Sequence, residues 1–397
     1  RRLPRLGREL TEIERSTDLD ELIVDPPAPE TCENFYDKDL LSKHIDDMKY
    51  DGWRATNKEA GVWMFGCDNG TKGTACLAEF PDRAKDWGTE NKGILRELIK
   101  LDFRSSFWTR SSADGRYIAN GGGNDSNATI TDMARGIDIK VPSTYDPGFF
   151  PDNSGFIFQG GGTAICAQSI LETAEEVDFE DPACMRPTNI NLYQHVARGL
   201  NGGDYFIINS QFTSDSGSGN KDPLALFNAD SSMKFTPMIF NGTTYEQLRA
   251  VILDSPYEGD SVLSPSGKIV VSRLAGGEDG APLGYVLRMV ETEKFGDNYN
   301  IDTSTVLARI CLSGAKANIS YDERFMVTHH YEGDKADIIL VDLLTGVQHQ
   351  ITNMPAGVKA LFPHFRSDNW FYFLVKDGED EYVVASDFAL ELEKGAQ

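Results

Sequence analysis

The 397-residue sequence lacks several features that mark membrane and nucleic-acid-binding proteins. No apolar run approaches the roughly 20 residues that a membrane helix requires. Lysine and arginine together number 38 against 62 acidic residues, and the formal net charge of -24 has the wrong sign for contact with a phosphate backbone. We therefore expect no membrane span and no nucleic-acid partner. The acidic surface instead suits a soluble chain whose partners are cationic.

Motifs of common enzymes are also missing. The sequence has no G-x-S-x-G nucleophile elbow, and its serine-rich stretch at 213–222 is typical of a flexible Gly/Ser loop. There are only six histidines, and four of them fall in the last quarter of the chain. We predict no catalytic residue from these patterns.

The six cysteines form no C-x-x-C pair, which argues against thioredoxin-type chemistry and structural zinc. Their even number and local spacing favour disulfides and hence a periplasmic or extracellular location, with six reduced thiols in a cytosolic protein as the alternative. The local spacing suggests the pairs Cys67 with Cys76 and Cys166 with Cys184. If both form, Cys32 and Cys311 are left over and could join the N-terminal arm to the body, but the sequence does not fix the connectivity.

A short unit recurs along the chain, in which a turn is followed by four to six residues typical of a strand. Clear copies are "SSADGRYIANGG" at 111–122, "LSPSGKIVVSRLAGG" at 263–277 and "ISYDERFMVTHHY" at 319–331. The corresponding turn positions are Gly61, Gly115, Gly155, Gly203, Gly267, Glu323 and Asn369. Their spacing of 40 to 64 residues is that of propeller blades with variable loops.

These repeats predict an all-β fold, a seven-bladed β-propeller with an extended N-terminal arm. A single four-stranded sheet cannot bury both of its faces, whereas sheets packed around an axis can. We place the arm and one short helix at 1–49 and the propeller at 50–397, and we expect the closing strand in 30–60 or in 381–390. A β-sandwich array and a β-helix are the alternatives. The arm could dock on a partner or lie along its own propeller.

The units "SSADGRYIA", "LSPSGKIVVS" and "SYDERFMVT" resemble the repeat of TolB-like (WD40-like) propellers. The segment "DIILVDLLTGVQHQIT" at 337–352 is similar to the second half of that repeat, in which a strand ending in Asp leads through a Gly turn to another strand. The resemblance covers roughly 100–390. It implies a blade and specifies no activity.

Oligogalacturonate lyases are propellers that hold a divalent metal with histidines and a glutamine. If this chain had such a site, the resemblance implies that His330, His349, Gln350 and His364 would be the candidate ligands. We keep His330 and His364 as the candidate metal ligands. Adjacent strand residues point to opposite faces, so at most one of His329 and His330 can reach an axial site. Ordinary strand and turn histidines are the simpler interpretation.

Carboxylate-rich loops offer a second kind of site. The stretch "GGGNDSNATITD" at 121–132 contains Asp125 and Asp132, which could ligate calcium, although its spacing does not match an EF-hand. Solvated acidic loops explain the same residues.

Together these observations predict an exported, non-catalytic propeller that binds a protein partner or serves as a subunit of an assembly. The alternatives are a metal-dependent polysaccharide lyase of the oligogalacturonate-lyase type and a calcium-binding surface component. No cofactor is predicted for the non-catalytic propeller. The lyase would need a divalent metal, and the surface component would need calcium.

Overall fold

The computed structural model describes residues 26–50, 86–122, 127–143, 145–159, 164–172, 177–179, 182–185, 195–198, 204–209, 229, 231–276, 281–312 and 314–395. Strands dominate these ranges. The first elements are β1 (Phe35–Tyr36), α1 (Lys38–Tyr50) and β2 (Leu95–Leu101), and the last is α2 (Phe388–Gly395). No helix in the described part of the chain is long and apolar enough to cross a membrane.

The other strands form six successive antiparallel sheets, which we number as blades one to six. Blade one contains β3 (Ser106–Ser111), β4 (Tyr117–Gly121), β5 (Ala128–Asp132) and β6 (Ile137–Val141). Blade two contains β7 (Gly148–Phe149), β8 (Gly155–Gln159), β9 (Ile165–Glu172), β10 (Val177–Phe179) and β11 (Ala183–Met185), the last two sharing the outer position. Blade three contains β12 (His195–Arg198), β13 (Tyr205–Asn209), β14 (Ser232–Phe240), β15 (Tyr245–Gln247) and β16 (Val251–Asp254).

Blade four contains β17 (Glu258–Leu263), β18 (Ile269–Gly276), β19 (Ala281–Met289) and β22 (Val306–Ile310), with an added hairpin, β20 (Glu291–Phe295) and β21 (Asn298–Asp302). Blade five contains β23 (Gly314–Ile319), β24 (Phe325–Glu332), β25 (Lys335–Asp342) and β26 (Val347–Gln350). Blade six contains β27 (Val358–Phe365), β28 (Phe371–Asp377) and β29 (Asp380–Ser386). Blades five and six are joined by a single parallel pair, Ala336 with Lys359.

Blade six is completed by β2, which pairs antiparallel with β29 and places Leu95 opposite Ser386. An amino-terminal strand thus supplies the outermost position of the last blade and closes the ring. We expected closure from 30–60 or 381–390. The second segment takes part as the third strand of blade six. The described part of the first, residues 30–50, does not, because β1 pairs with the outer edge of blade four; residues 51–60 lie outside the described residues.

The first strands of the blades contact one another in chain order, and β27 of blade six contacts β3 of blade one. Between these blades the Ser367 N–H donates a 2.8 Å hydrogen bond to the Ala113 carbonyl. The described residues therefore form a closed ring of sheets around an axis, and the β-propeller fold is confirmed. Six of the seven predicted units correspond to blades. The unit at Gly61 lies outside the described residues, so a count of seven is not confirmed.

The sequence signature of the repeat has a structural role in blades one and five. In the turn between the first two strands of blade one, the Ser112 hydroxyl donates to the Asp114 carboxylate and accepts the Tyr117 N–H. In blade five, Ser320 makes the same contacts with Asp322 and Phe325. These side chains satisfy turn groups that have no ladder partner. The serine-aspartate pair thus builds the turn.

The strands that follow are rich in β-branched and aromatic residues because both faces of each blade are covered by neighbouring blades. In β28 the first five residues, from Phe371 to Val375, are all buried. In β25 the seven residues after Lys335 are all buried. Continuous apolar runs are the pattern expected for strands packed on both sides.

Candidate functional site

The central channel is lined at one level by a set of residues in equivalent positions. In five of the six blades the turn between the first two strands begins at a residue whose N–H bonds a carbonyl four or five residues later; these residues are Ser112, Phe150, Ser264, Ser320 and Arg366. Four positions before each of these turn residues, the chain is in the innermost strand or just before it. We call this set the channel ring, and its members are Trp108, Asp146, Asp260, Lys316 and Phe362.

Four of these five residues lie at a register shift of the innermost strand. The shifts fall between Ser106 and Thr109, Gly259 and Val262, Gly314 and Ala317, and Leu361 and His364. A bulge re-aims side chains that would otherwise alternate between the faces of the sheet. The corresponding backbone position in blade three is His195.

The channel ring is cross-linked by ion pairs and cation–π contacts. Lys316 and Arg273 both pair with the Asp260 carboxylate. The Lys316 ammonium also lies 4.4 Å from the centre of the Trp108 ring, although these residues belong to blades five and one. Blade six lies between those blades along the ring, so this contact links two blades that are not neighbours.

A second pair continues the network. The Arg110 guanidinium lies 4.5 Å from the Trp108 ring and donates to Asp146 at 2.5 Å. Burial lowers the pKa of Lys316, although the nearby Asp260 carboxylate opposes that effect. The described groups at this level are thus partnered with one another and link the blades.

Two histidines lie beside the ring. His329 is fully buried on β24, opposite the bulge that contains Lys316, and its Nδ1 accepts the Phe362 N–H at 3.3 Å. Burial lowers its pKa to about 3, and Arg273 and Lys316 add to the effect. His364 on β27 contacts the Ser111 hydroxyl at 3.2 Å. Burial lowers its pKa to about 3 as well, with Arg110 contributing.

At one end of the channel the turns between the first and second strands converge, and we call this end the channel mouth. Helix α1 begins at the outer edge of blade four, where the Asp37 N–H donates to the Leu307 carbonyl and the Asp37 carboxylate caps the Leu40 N–H at 3.0 Å. It ends over the axis, since Met48 packs against Ala113 of blade one and Tyr321 of blade five. The helix therefore crosses one face of the propeller from rim to mouth.

One face of α1 is buried against the propeller. Leu41, Ile45 and Met48 are each at most 2% exposed, and they recur at the i, i+4 and i+7 positions of a single helical stripe. Leu41 joins the core between blades four and five. The described part of the N-terminal arm, from residue 26, therefore lies along its own propeller. Residues 1–25 lie outside the described residues.

The same stripe carries one polar group. The His44 imidazole Nε2 lies 2.6 Å from the Glu323 carboxylate, and the other carboxylate oxygen accepts the Ser266 hydroxyl. Both His44 and Glu323 are buried. Burial alone would raise the pKa of Glu323, but the hydrogen bonds from His44, Ser264 and Ser266 and the charge of His44 hold it below its usual value.

These three residue types also occur in hydrolase triads, but their order here is different. In a triad the imidazole lies between serine and carboxylate and removes the serine proton. Here the Glu323 carboxylate lies between Ser266 and His44, so the hydroxyl donates to an acceptor that is already ionised. The cluster fixes the helix to the turn and does not activate a nucleophile.

Glu323 is also unusual in its backbone. It has a φ of +56° at a turn position where blades one and four have Gly115 and Gly267, at +79° and +74°. A left-handed conformation costs a non-glycine residue about 1 kcal/mol. Blade six has Asn369 there, a residue that tolerates this region well. A strained and buried glutamate at this position indicates a role that glycine cannot fill.

The predicted histidine–glutamine ligands do not converge. His364 is on the innermost strand of blade six, His330 is on the second strand of blade five, and His349 and Gln350 are on the outermost strand of blade five. Adjacent strands lie about 4.8 Å apart, so the inner and outer positions are separated by roughly 14 Å within a blade. Among the described residues no group of three or more His, Cys, Asp or Glu side chains could hold a metal ion.

The alternation predicted for the adjacent histidines is seen, because His329 is fully buried and His330 is partly exposed. His349 lies near the rim, where its Nδ1 is 3.2 Å from the Lys92 ammonium. The predicted ligands thus occupy ordinary strand positions.

The calcium candidates have different outcomes. Asp132 ends the third strand of blade one, and its two oxygens accept hydrogen bonds of 2.9 Å each from the Arg116 guanidinium. The same pair recurs in blade five between Arg324 and Asp342, so it belongs to the repeat. Asp132 is therefore a structural residue. Asp125 lies outside the described residues and stays a prediction.

Two of the three expected cysteine pairs fall in the described part of the chain, and both are bonded. Cys32 is joined to Cys311 across 279 positions, which ties the segment before α1 to blade four. Cys166 is joined to Cys184, its direct cross-strand neighbour in blade two. Cys67 and Cys76 lie outside the described residues.

Sequence reasoning missed both the channel ring and the role of α1. The spacing of Leu41, Ile45 and Met48 marks an amphipathic helix and could have pointed to a docking face. The channel ring could have been found only by aligning the turns and counting four residues back.

No family model and no curated protein matches the sequence. Among solved structures, the chain is similar to an oligogalacturonate lyase from Vibrio parahaemolyticus (10% identity, TM-score 0.43, covering 76% of this chain and 95% of that one). It is also similar to TolB from Acinetobacter baumannii (12%, 0.38, 72% and 68%) and to the β-propeller domain of the Trilobed protease from Pyrococcus furiosus (10%, 0.40, 72% and 96%). These structures are β-propellers, and at such identities and TM-scores they carry no argument about the family or the activity of this chain.

Proposed function

We propose that this chain is an exported, non-catalytic propeller that binds proteins, and that its binding surface is the channel mouth. The two disulfides among the described residues support export, since such bonds persist in oxidising compartments. The acidic net charge of -24 suits partners with basic groups.

One observation carries the proposal. The channel mouth holds an amphipathic helix by a buried apolar stripe and one buried polar contact, which is the helix-in-groove mode of peptide recognition. In the structure the occupant is the chain's own α1. A partner helix that replaced α1 would meet the same apolar floor, formed in part by Ala113 and Tyr321.

While α1 occupies the mouth, a competing helix cannot bind there. The apparent dissociation constant of the competitor therefore rises as the fraction of molecules with an empty mouth falls. The binding test therefore uses a full-length variant, Ile45→Asp/Met48→Asp, in which burial of two carboxylates forces α1 off the mouth. A fluorescent peptide of residues 36–50 is titrated with this variant and with the unmodified chain, and its anisotropy is measured.

We expect saturable binding to the variant and at least about tenfold weaker binding to the unmodified chain. A peptide carrying Leu41→Asp serves as the matched control and should not bind. If the variant keeps its β-type circular dichroism spectrum and cooperative melting but binds no peptide, the mouth is not a helix-binding surface and the proposal is wrong.

A further inference from the structure

We infer that Glu323 selects the helices that the channel mouth accepts, and that a partner must present a hydrogen-bond donor between two apolar turns. This inference rests on the proposed function of the mouth. It specifies the partner as an amphipathic helix with apolar residues at i, i+4 and i+7 and a donor such as histidine at i+3.

The burial of the carboxylate is the first step. Glu323 is fully buried; Ser266 donates to one carboxylate oxygen, His44 lies 2.6 Å from the other, and Ser264 also hydrogen-bonds the carboxylate. Ser264 and Ser266 belong to blade four, so they remain when the helix leaves. His44 is the donor that the helix supplies.

The energetics of an unmet acceptor give selectivity. An apolar residue in place of His44 would remove the donor that the helix supplies to a buried carboxylate, and a site built to hydrogen-bond one group rejects an analogue that lacks it. An acidic residue would place two carboxylates in contact and would be rejected more strongly. A neutral donor of similar reach would be accepted.

The backbone of Glu323 supports a selective role over a structural one. The corresponding turns of blades one and four use glycine at this left-handed position, so the fold itself does not need a carboxylate there. A glutamate in this conformation adds strain that glycine would avoid. What glutamate contributes beyond glycine is an acceptor at the base of the helix-binding surface.

The experiment compares three peptides of residues 36–50 on the full-length Ile45→Asp/Met48→Asp chain: the natural peptide, one with His44→Gln and one with His44→Leu. We expect the glutamine peptide to bind within about fivefold of the natural one, and the leucine peptide to bind about 10- to 100-fold more weakly.

The matched chain adds Glu323→Gly, which restores the residue of blades one and four and removes the acceptor. On this chain we expect the natural and leucine peptides to bind within about threefold of each other. If the leucine peptide binds the Glu323 chain as tightly as the natural peptide, the selective role is wrong while the helix-binding function stands. If no peptide binds either chain, the proposed function falls with it.

Discussion

Acid should destabilise this propeller by protonating buried imidazoles, and His329 allows the effect to be tested at a single site. Its side chain is fully buried beside the channel ring, where Arg273 and Lys316 make the surroundings positive. Its Nδ1 accepts the Phe362 N–H at 3.3 Å, so protonation would also break that hydrogen bond. The ring is therefore held neutral in the folded state.

The direction and the size of the stability change follow from the difference between the pKa values of His329 in the folded and unfolded chain. The pKa of His329 falls from 6.5 in the unfolded chain to about 3 in the fold, so the folded state binds fewer protons between these values. Its contribution to stability is present above about pH 6.5 and is lost as the pH falls. Between pH 7 and pH 5 the loss from this single group is about 2 kcal/mol, and between pH 7 and pH 6 it is about 0.7 kcal/mol.

The assay is urea unfolding followed by tryptophan fluorescence at pH 7, 6 and 5, for the natural chain and for His329→Gln. Glutamine does not titrate, so the variant should lose about 2 kcal/mol less of its unfolding free energy over the same range, although it is less stable at pH 7. The control is His330→Gln, which removes an imidazole from the partly exposed face of the same strand and leaves the hydrogen bond between His329 and Phe362 in place. Equal pH dependence of His329→Gln and the natural chain would refute the reasoning.

Two further predictions concern the ring of blades. Gly115→Ala should lower the free energy of unfolding, measured in urea, by about 2 kcal/mol or more, because its φ is +79° and an added Cβ would lie 2.6 Å from the buried Arg366 side chain. Gly136→Ala is the control, since Gly136 has a φ of +66° but open space around it, and it should lower the same free energy by only about 1 kcal/mol. Equal losses in the two variants would contradict the packing argument. Cys32→Ser/Cys311→Ser removes the tether before α1 and should lower the unfolding free energy by about 3–5 kcal/mol. Amide hydrogen exchange in α1, measured by mass spectrometry, should become faster. Unchanged exchange would mean that α1 docks without the disulfide.

The repeat could be predicted because its signature makes local hydrogen bonds. The serine and aspartate of "SSADG" bond groups within the same turn, and Asp132 bonds Arg116 across one strand pair of one sheet. Such short-range contacts appear in sequence as fixed spacings, which is why the predicted turns at Gly115, Gly267, Glu323 and Asn369 occupy the same left-handed position in their blades. In blade two that position is Asn153 instead of the predicted Gly155, and Gly203 lies outside the described residues. The two described disulfides also followed from spacing, one of them only as the pair left over.

The candidate histidine ligands lie apart for a physical reason that spacing cannot reveal. His349 and His364 are 15 residues apart, yet they occupy the outer edge of one blade and the inner edge of the next. Proximity in a propeller depends on which strand of which blade a residue enters. Lys316 and Trp108, 208 positions apart, meet for the same reason.

The sequence alone determined the class of fold, the turns of the blades and the alternation of His329 and His330, since these depend on periodicity and on contacts within a few residues. Only the tertiary structure decided that α1 covers the channel mouth, that Glu323 receives His44 from 279 residues away, and that Lys316 reaches Trp108. Those contacts exist because closing the ring brings distant turns and inner strands to one axis. No local pattern encodes that closure, because it is a property of all the blades together.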